Sequence, residues 1–382
     1  MPHAFATDIN SSTLRLVRRI LLLITDLQIG GTPTVVRELA VRLRAASDAH
    51  VEVACLSPWG PVADQLKEAG VTVTPLNARG VLDFPPVTRR LVKLIRSHDI
   101  DTVFSFLLHA NTVAATVGRF CRDVRWLQSI QTTQPNPRWH WRVQSIVHHA
   151  AERIVVPSNS VAQVARDWAA IPAEKISVIP NAVDLAEFES HPPDHVSRFT
   201  FHSSTFQLGF LGRLDPIKRV PDLLEAVRLL GPRVHLHIFG EGTERPHIER
   251  TIARLALTGQ VTMHGAVARP QDAFRQIDLL VLPSEAEGFG LVLIEAMAAG
   301  IAVIATDVPG IRDVVRNWQT GILVPVASPE SLAKAIGDLI DDPARRAEVV
   351  AHARQDVEER FSWQRVLPQY ATLLNPSGAA AM

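Results

Sequence analysis

Residues 283–310 read P-S-E-A-E-G-F-G-L-V-L-I-E-A-M-A-A-G-I-A-V-I-A-T-D-V-P-G, and they decide the fold. The run before them, 277–282, is I-D-L-L-V-L, almost without polar relief. Such a run predicts a strand buried on both faces, as in a parallel sheet. Residues 291–299 are apolar all round except for Glu295, and Gly300 follows as the left-handed stop of a helix. A second buried strand is expected at 301–305. Strand, loop, helix and parallel strand make one right-handed crossover unit.

Glu295 is the anomaly in this unit. A helix that is apolar on every face is buried. A carboxylate inside it has to be paired or hydrogen-bonded, or it is costly. The loop before the helix, Glu287-Gly288-Phe289-Gly290, has two glycines that let backbone amides approach a ligand at a helix N-terminus. Two glutamates eight residues apart fit around a polyhydroxylated, negatively charged ligand. The plainer alternative is that Glu295 pairs with a core Arg or Lys and Glu287 is a solvated loop charge.

Outward from this unit, the alternation of buried strands and helices covers most of the 382 residues. Strands are expected at 20–24, 51–56, 71–75, 102–107, 126–130, 153–156 and 176–179. Helices are expected between them: one opening at Pro33, then 62–68, 88–97, 111–120, 138–149 and 160–169. Residues 189–204, rich in Pro, Ser and His, read as a linker. The alternation restarts with strands at 207–211, 234–239 and 261–264 before the opening unit. Helices after Pro329 and Pro343 are expected to be capped by Ser328 and Asp342. The result is two doubly wound, Rossmann-like α/β domains, 18–188 and 205–362, facing across a cleft. The amphipathic segment 363–374 is expected to pack back on the first domain. Residues 1–17 and 375–382 are polar and patternless, and are expected to be disordered.

Composition narrows the function. Lys plus Arg and Asp plus Glu both number 39, so no overall charge calls for nucleic acid. Cys55 and Cys121 lie far apart, without metal-type spacing, and fit a reducing cytosol. The apolar run 20–24 is too short for a signal core or a membrane span.

Ligands in such folds bind outside the carboxyl ends of the strands. Collected there are Gly30 and Gly31, His109, Arg213 with Lys218, Gly240 and Gly242, and Glu287 with Glu295. Gly30-Gly31 between the first strand and helix is a candidate phosphate cradle, though not a G-x-G-x-x-G fingerprint; a tight turn without a ligand is the alternative. Arg213 and Lys218, five apart, could grip a diphosphate or be solvated turn charges. With no Asp-x-Asp triplet beside these strand ends and no His/Cys/carboxylate cluster at metal spacing, fixed cations would neutralise a departing diphosphate.

These residues resemble the retaining glycosyltransferases of family 4, which have the two-domain B-type (GT-B) fold. The resemblance runs over about 18–363. Its most specific part is E-x7-E from Glu287 to Glu295, inside P-S-x-x-E-G-F-G-L-x-x-x-E-A-M-A-x-G. Supporting parts are G-R-L-x-x-x-K from Gly212 to Lys218, F-G-x-G from Phe239 to Gly242, V-I-P-N-x-V-D at 178–184 and the Gly-Gly turn. Ala182 stands where a glycine is usual, and Thr32-Pro33 where Ala-Glu is frequent.

The resemblance implies a nucleotide-sugar donor, UDP-sugar first and GDP-mannose second on family frequency, and no cofactor or metal. It implies that Arg213 and Lys218 hold the diphosphate and Glu295 the ribose hydroxyls. Glu287, with the amides of Phe289 to Leu291 after Gly288 and Gly290, would hold the sugar. Gly30, Gly31, Gly212, Gly240 and Gly242 would border the donor, and His109 would touch the transferred sugar unless it is a helix-capping or core histidine. Configuration would be retained. The acceptor would be a hydroxyl of a glycan or polyprenyl-linked glycan in polysaccharide, lipopolysaccharide or glycolipid synthesis. A nucleotide-sugar epimerase of the same fold, or a non-catalytic nucleotide-sugar binder, are the alternatives; assaying transfer, epimerisation and binding separates them.

The expected location is cytoplasmic, with one refinement. In T-R-R-L-V-K-L-I-R-S-H, residues 88–98, Arg89, Arg90, Lys93 and Arg96 share a helical sector of roughly 120°. P-R-W-H-W-R at 137–142 mixes cations with tryptophan, a composition favoured at membrane interfaces. Residues 1–190 carry three more Lys and Arg than Asp and Glu. A solvated basic face over an ordinary packing helix accounts for this; so does peripheral docking on an anionic cytoplasmic leaflet.

Overall fold

The structure is a computed structural model, and it describes residues 18–46, 49–189 and 205–374. Two parallel sheets carry the chain. The first holds β1 (Arg19–Ile24), β2 (His50–Cys55), β3 (Thr72–Pro75), β4 (Thr102–Phe106), β5 (Arg125–Ser129), β6 (Arg153–Val156) and β7 (Ile176–Val178), in the order β3-β2-β1-β4-β5-β6-β7. The second holds β8 (Phe206–Leu211), β9 (Val234–Phe239), β10 (Val261–Gly265), β11 (Leu279–Leu282), β12 (Ala302–Thr306) and β13 (Ile322–Val324), in the order β10-β9-β8-β11-β12-β13. Strand order reverses between β1 and β4 in one sheet and between β8 and β11 in the other. Loops diverge to opposite faces at such a switch point and leave a crevice there.

Burial explains why these runs are strands. Leu21, Leu22, Leu23 and Ile24 are wholly inaccessible, as are Leu279, Leu280 and Val281. In the first domain the helices Gly31–Ala46, Pro61–Glu68 and Trp363–Leu374 cover one face of the sheet. Helices Phe84–Ser97, Leu108–Val117, Trp139–Val147 and Asn159–Ala169 cover the other. Trp363, Val366, Tyr370 and Leu374 of the last helix lie in the core of the first domain, so the chain crosses between domains twice. The two crossings run side by side: the Val183 amide donates to the Phe361 carbonyl at 2.9 Å.

Several expectations need correction. β13 has no counterpart in the sequence reading, because three apolar residues between turns carry no period. The helix expected at 88–97 begins at Phe84, since Pro85 and Pro86 fit its first turn, where no N–H is needed. Pro33 is the third residue of its helix, not the first. The Asp342 carboxylate caps its helix by accepting from the Arg345 amide at 2.9 Å, but the Ser328 hydroxyl turns to Ser331 Oγ instead. Glu189 closes the helix Ala186–Glu189; the rest of the expected linker, 190–204, lies outside the described residues, as do 1–17 and 375–382.

Candidate active site

The loops at both switch points face each other. After β8, the chain turns through Gly212-Arg213-Leu214-Asp215 into a short 3-10 turn, Pro216–Lys218. After β11 comes the loop 283–290. The two loops are strapped together: the Glu285 amide donates to the Ile217 carbonyl at 2.8 Å. Thr306, at the end of β12, donates its hydroxyl to the Ser284 carbonyl. Backbone bonds also tie this floor to the β9 loop, from the Gly212 amide to the Phe239 carbonyl at 3.0 Å and from the Leu214 amide to the Glu241 carbonyl at 2.9 Å. Gly240 is obligatory in that layer. Its φ is +153°, and a Cβ there would sit 1.9 Å from the Gly212 carbonyl oxygen.

On this floor the Lys218 ammonium is ion-paired with Glu287 Oε1, which also accepts from the Ser284 hydroxyl at 2.8 Å. Their side chains are only 19% and 13% exposed, so Glu287 is not a solvated loop charge. One of the three ammonium protons is used by Glu287, which leaves donors for a second anion. Arg213 is different. Its side chain is 70% exposed and its Nε pairs with Asp215 at 2.5 Å, leaving the outer guanidinium N–H groups uncommitted. The two cations thus flank the 3-10 turn without sharing a partner.

Glu295 lies one turn inside the helix Leu291–Ala298 and is 8% exposed. It has no ion pair or side-chain hydrogen bond among the described residues, so the core-pair alternative is not what the structure has. It borders a cavity of about 690 Å³ between the domains, with Arg37, Glu38 and Gln65 from the first domain, Glu187 from the crossing, and Ala268 and Gln271 from the second. Burial pushes its carboxyl up to about 7; Arg37 pulls it down, while Glu187 and Glu38 add to the rise. Glu287 does not line this cavity, so the two glutamates do not form a single clamp. Leu291 borders the same cavity, whereas the Phe289 ring is turned into the core against Phe361, with centroids 5.5 Å apart. Gly290 begins this helix at φ +80°.

The first domain meets this floor at Gly288. Its Cβ would lie 2.2 Å from the Gln131 carbonyl oxygen, so only glycine allows the approach. The hydroxyls of Ser158 and Thr133 donate to the Gly288 and Glu287 carbonyls at 2.9 and 2.7 Å. Gly30 and Gly31 are exposed, with nothing nearer to a would-be Cβ than Pro33 at 3.8 Å and Leu291 at 3.9 Å. Gly242 packs against the Leu214 backbone, 2.3 Å from its oxygen by the same measure.

His109 follows β4 on the other side of the first switch point and is exposed. It does not cap its helix; the residue in the cap position, Leu107, has φ +71° and ψ 156°, a region that side chains rarely occupy. His109 lies 6.4 Å from the His140 ring, edge to face, and Trp139 lies 4.1 Å from His140. Burial and the neighbouring His109 hold the His140 imidazole below its usual range. Beneath them Asn111 is buried, accepting from Ser105 Oγ at 2.8 Å and donating to the Ser129 carbonyl at 3.0 Å. Sequence reasoning passed over Ser284, Thr133, Ser158 and His140. Ser284 stands in the P-S-x-x-E lead-in, three residues before the first glutamate of E-x7-E, and was legible there; the others meet the site only through contacts distant in sequence. Trp141, by contrast, is core: it is 6% exposed and its indole donates to the Gln134 carbonyl at 2.8 Å.

Comparison with known proteins adds to this geometry. The family described as Glycosyltransferase Family 4 matches residues 29–187, and the one described as Glycosyl transferases group 1 matches residues 196–356. A D-inositol 3-phosphate glycosyltransferase of Rhodococcus erythropolis is 32% identical over 272 residues, 68% of this chain and 60% of the relative. One from Kineococcus radiotolerans is 33% identical over 254 residues, 60% of this chain and 58% of the relative. The chain thus spans less than two thirds of the length of these relatives. Among solved structures, Anabaena Alr3699/HepE in complex with UDP and glucose superposes with a TM-score of 0.84 at 22% identity, covering 94% of this chain and all of that one. The sucrose-phosphate synthase of Thermosynechococcus elongatus does so with 0.79 at 23%, covering 95% of this chain and all of that one. The two-sheet architecture is that of these GT-B structures.

Proposed function

The chain belongs to the group 1 glycosyl transferases with the GT-B fold, and we propose on that footing that it moves a sugar from a nucleotide-sugar to an acceptor hydroxyl. The observation that carries this reading is the ion pair of Lys218 and Glu287, held by Ser284 at the switch point, beside the unpartnered Glu295 in its cavity. Lys218 and Arg213 offer free N–H donors to a diphosphate. Glu287 and the first amides of the helix Leu291–Ala298 face sugar hydroxyls, and Glu295 accepts from ribose hydroxyls in the 690 Å³ cavity. Gly30 and Gly31 leave the first domain room to close on the phosphates. His109 contacts the transferred sugar.

In the reaction the bond between the anomeric carbon and the diphosphate oxygen breaks through an oxocarbenium-like state. The acceptor oxygen bonds to the same face of that carbon, its proton passes to the departing diphosphate, and configuration is retained. Fixed cations stabilise the leaving charge without a metal. The donor read first is a UDP-sugar; HepE is a neighbour solved with UDP and glucose. The acceptor read first is a glycan or polyprenyl-linked glycan, reached from the cytoplasmic face of the membrane through Arg89, Arg90, Lys93 and Arg96; D-inositol 3-phosphate, named for the relatives, competes with it.

Purified protein is incubated with UDP-glucose or GDP-mannose and each acceptor class, and transfer, epimerisation and binding are measured. Transfer with retention supports the reading. Epimerisation, or binding without turnover on any acceptor, replaces it with one of the two alternatives.

A further inference from the structure

The loop that follows β3 leaves the first domain as a free-standing tip. Its base is fixed: the Ala78 amide donates to the Leu56 carbonyl at 2.7 Å, and Arg90 donates to the Leu76 carbonyl at 2.5 Å. Beyond the base, Gly80 has nothing within 4 Å of a would-be Cβ, and the next two side chains stand in open solvent. Val81 is 91% exposed and Leu82 is 92% exposed, and Phe84 beside them is exposed as well. Single exposed aliphatics are ordinary. Two adjacent ones with nearly all their surface in water, on a short 3-10 turn (Val81–Asp83) fixed at its base, are not explained by packing.

The charges around this tip point one way. Asp83 is turned back, accepting from the Arg79 amide at 2.7 Å, so the single acid of the turn does not face outward. Arg79, Arg89, Arg90 and Lys93 are exposed on the tip and on the helix Phe84–Ser97 that leaves it. Apolar groups flanked by cations match an anionic bilayer surface, where aliphatics enter the acyl boundary and Lys and Arg meet the headgroups. Among the described residues no helix is long and apolar enough to cross a membrane.

We propose that Val81 and Leu82 form an insertion wedge that seats the first domain on an anionic lipid surface, with Arg79, Arg89 and Lys93 as its headgroup contacts. This deepens the membrane-facing acceptor reading given above and rests on it for its purpose, though not for its test. β3 is parallel to β1 and β4, so the wedge sits at the same edge of the sheet as Gly30, Gly31 and His109. An inserted wedge would therefore bring the rim of the cleft toward the bilayer, where a lipid-linked acceptor hydroxyl would lie.

The test is co-sedimentation with vesicles of equal parts phosphatidylcholine and phosphatidylglycerol, and with phosphatidylcholine alone. Wild type, Val81→Ser/Leu82→Ser and Arg89→Ser/Lys93→Ser are compared at low and high salt. The wedge variant should lose about tenfold to a hundredfold in partition to the anionic vesicles. The charge variant should lose the salt-sensitive part and keep a weak, salt-resistant remainder. Wild type that stays in solution, or a wedge variant that pellets as well as wild type, overturns the proposal. So does a concentration-dependent dimer, seen by sedimentation without lipid and abolished by the wedge substitutions, since a second copy would then be the occupant. Calorimetric binding of UDP-glucose is run in parallel: loss there with pelleting intact removes the transferase reading and leaves the wedge standing.

Discussion

The two halves of the cleft are built differently. On the second-domain side Gly212, Arg213, Lys218, Ser284, Glu287 and Glu295 come from two short stretches, and backbone hydrogen bonds lock those stretches to each other. On the first-domain side Gly30, His109, Thr133, His140 and Ser158 come from separate segments: Thr133 and Ser158 reach the floor through their hydroxyls, and His109 and His140 lie on two helices, the first entered through Leu107 at φ +71°. The second-domain side is thus a hydrogen-bonded floor, and the first-domain side an assembly whose shape depends on several independent contacts. Substitutions in the floor should change chemistry and nucleotide affinity together. Substitutions in the other wall should change transfer and leave nucleotide affinity alone.

The largest effects are expected on the floor. Lys218→Ala removes the cation proposed to face the leaving diphosphate and leaves Glu287 without its ion pair, and turnover should fall about 10²- to 10³-fold. Arg213→Ala should fall in the same range, and chelation with EDTA should leave the wild type active. Reversible loss of activity with EDTA would hand the charge-stabilising role to a metal.

Glu295→Gln comes next, and it is read as stability against pH. The Glu295 carboxyl titrates near 7 in the folded chain, against an ordinary 4.5. A raised folded value means that the native state holds the proton more tightly. Native stability is then full below about 4.5, is lost as the pH climbs toward 7, and stays low above it. Removing the charge should therefore stabilise the protein at pH 8 by on the order of 3 kcal/mol, and change little at pH 4. Nucleotide affinity should fall meanwhile, as an acceptor for ribose hydroxyls weakens. A Tm difference independent of pH, or an unchanged affinity for UDP, would remove the role given to this carboxylate.

Gly288→Ala probes the junction of the halves. The added methyl meets the Gln131 carbonyl, the domains are wedged apart, and kcat should drop roughly tenfold or more while UDP affinity changes much less. Wild-type turnover in this variant would mean that the close approach is not part of the reactive state. The smallest effect is expected for His109→Ala, about fivefold to tenfold in transfer, the worth of one hydrogen bond, with UDP affinity unchanged. If UDP affinity falls in step, His109 belongs to the donor half, and the division between the walls is drawn in the wrong place.

How much of this was readable in advance differs by half in the same way. Buried parallel strands write themselves as continuous apolar runs, so β1, β6 and β11 were legible, and with the alternating β9 (V-H-L-H-I-F) they pointed to the two-domain class. Glu295 was legible because a carboxylate in an otherwise apolar helix contradicts its surroundings. β13 was too short to show a period, and the helix Phe84–Ser97 was cut short because prolines read as breaks when they in fact occupy its first turn. Thr133, Ser158 and His140 carry no local signal at all.

By itself the sequence determined the alternation of elements, the glycines that let backbones touch, and the charged residues at the strand ends. Those depend on residues near one another in the chain, where period and spacing are physical constraints. Tertiary structure alone decided that Lys218 pairs with Glu287 while Arg213 stays exposed beside Asp215, that Glu295 borders a cavity whose lining does not include Glu287, and that Trp141 is core while Val81 and Leu82 are bare. Each of these turns on which distant element covers a side chain, and that is set by how the sheets and helices pack against one another and not by any period along the chain.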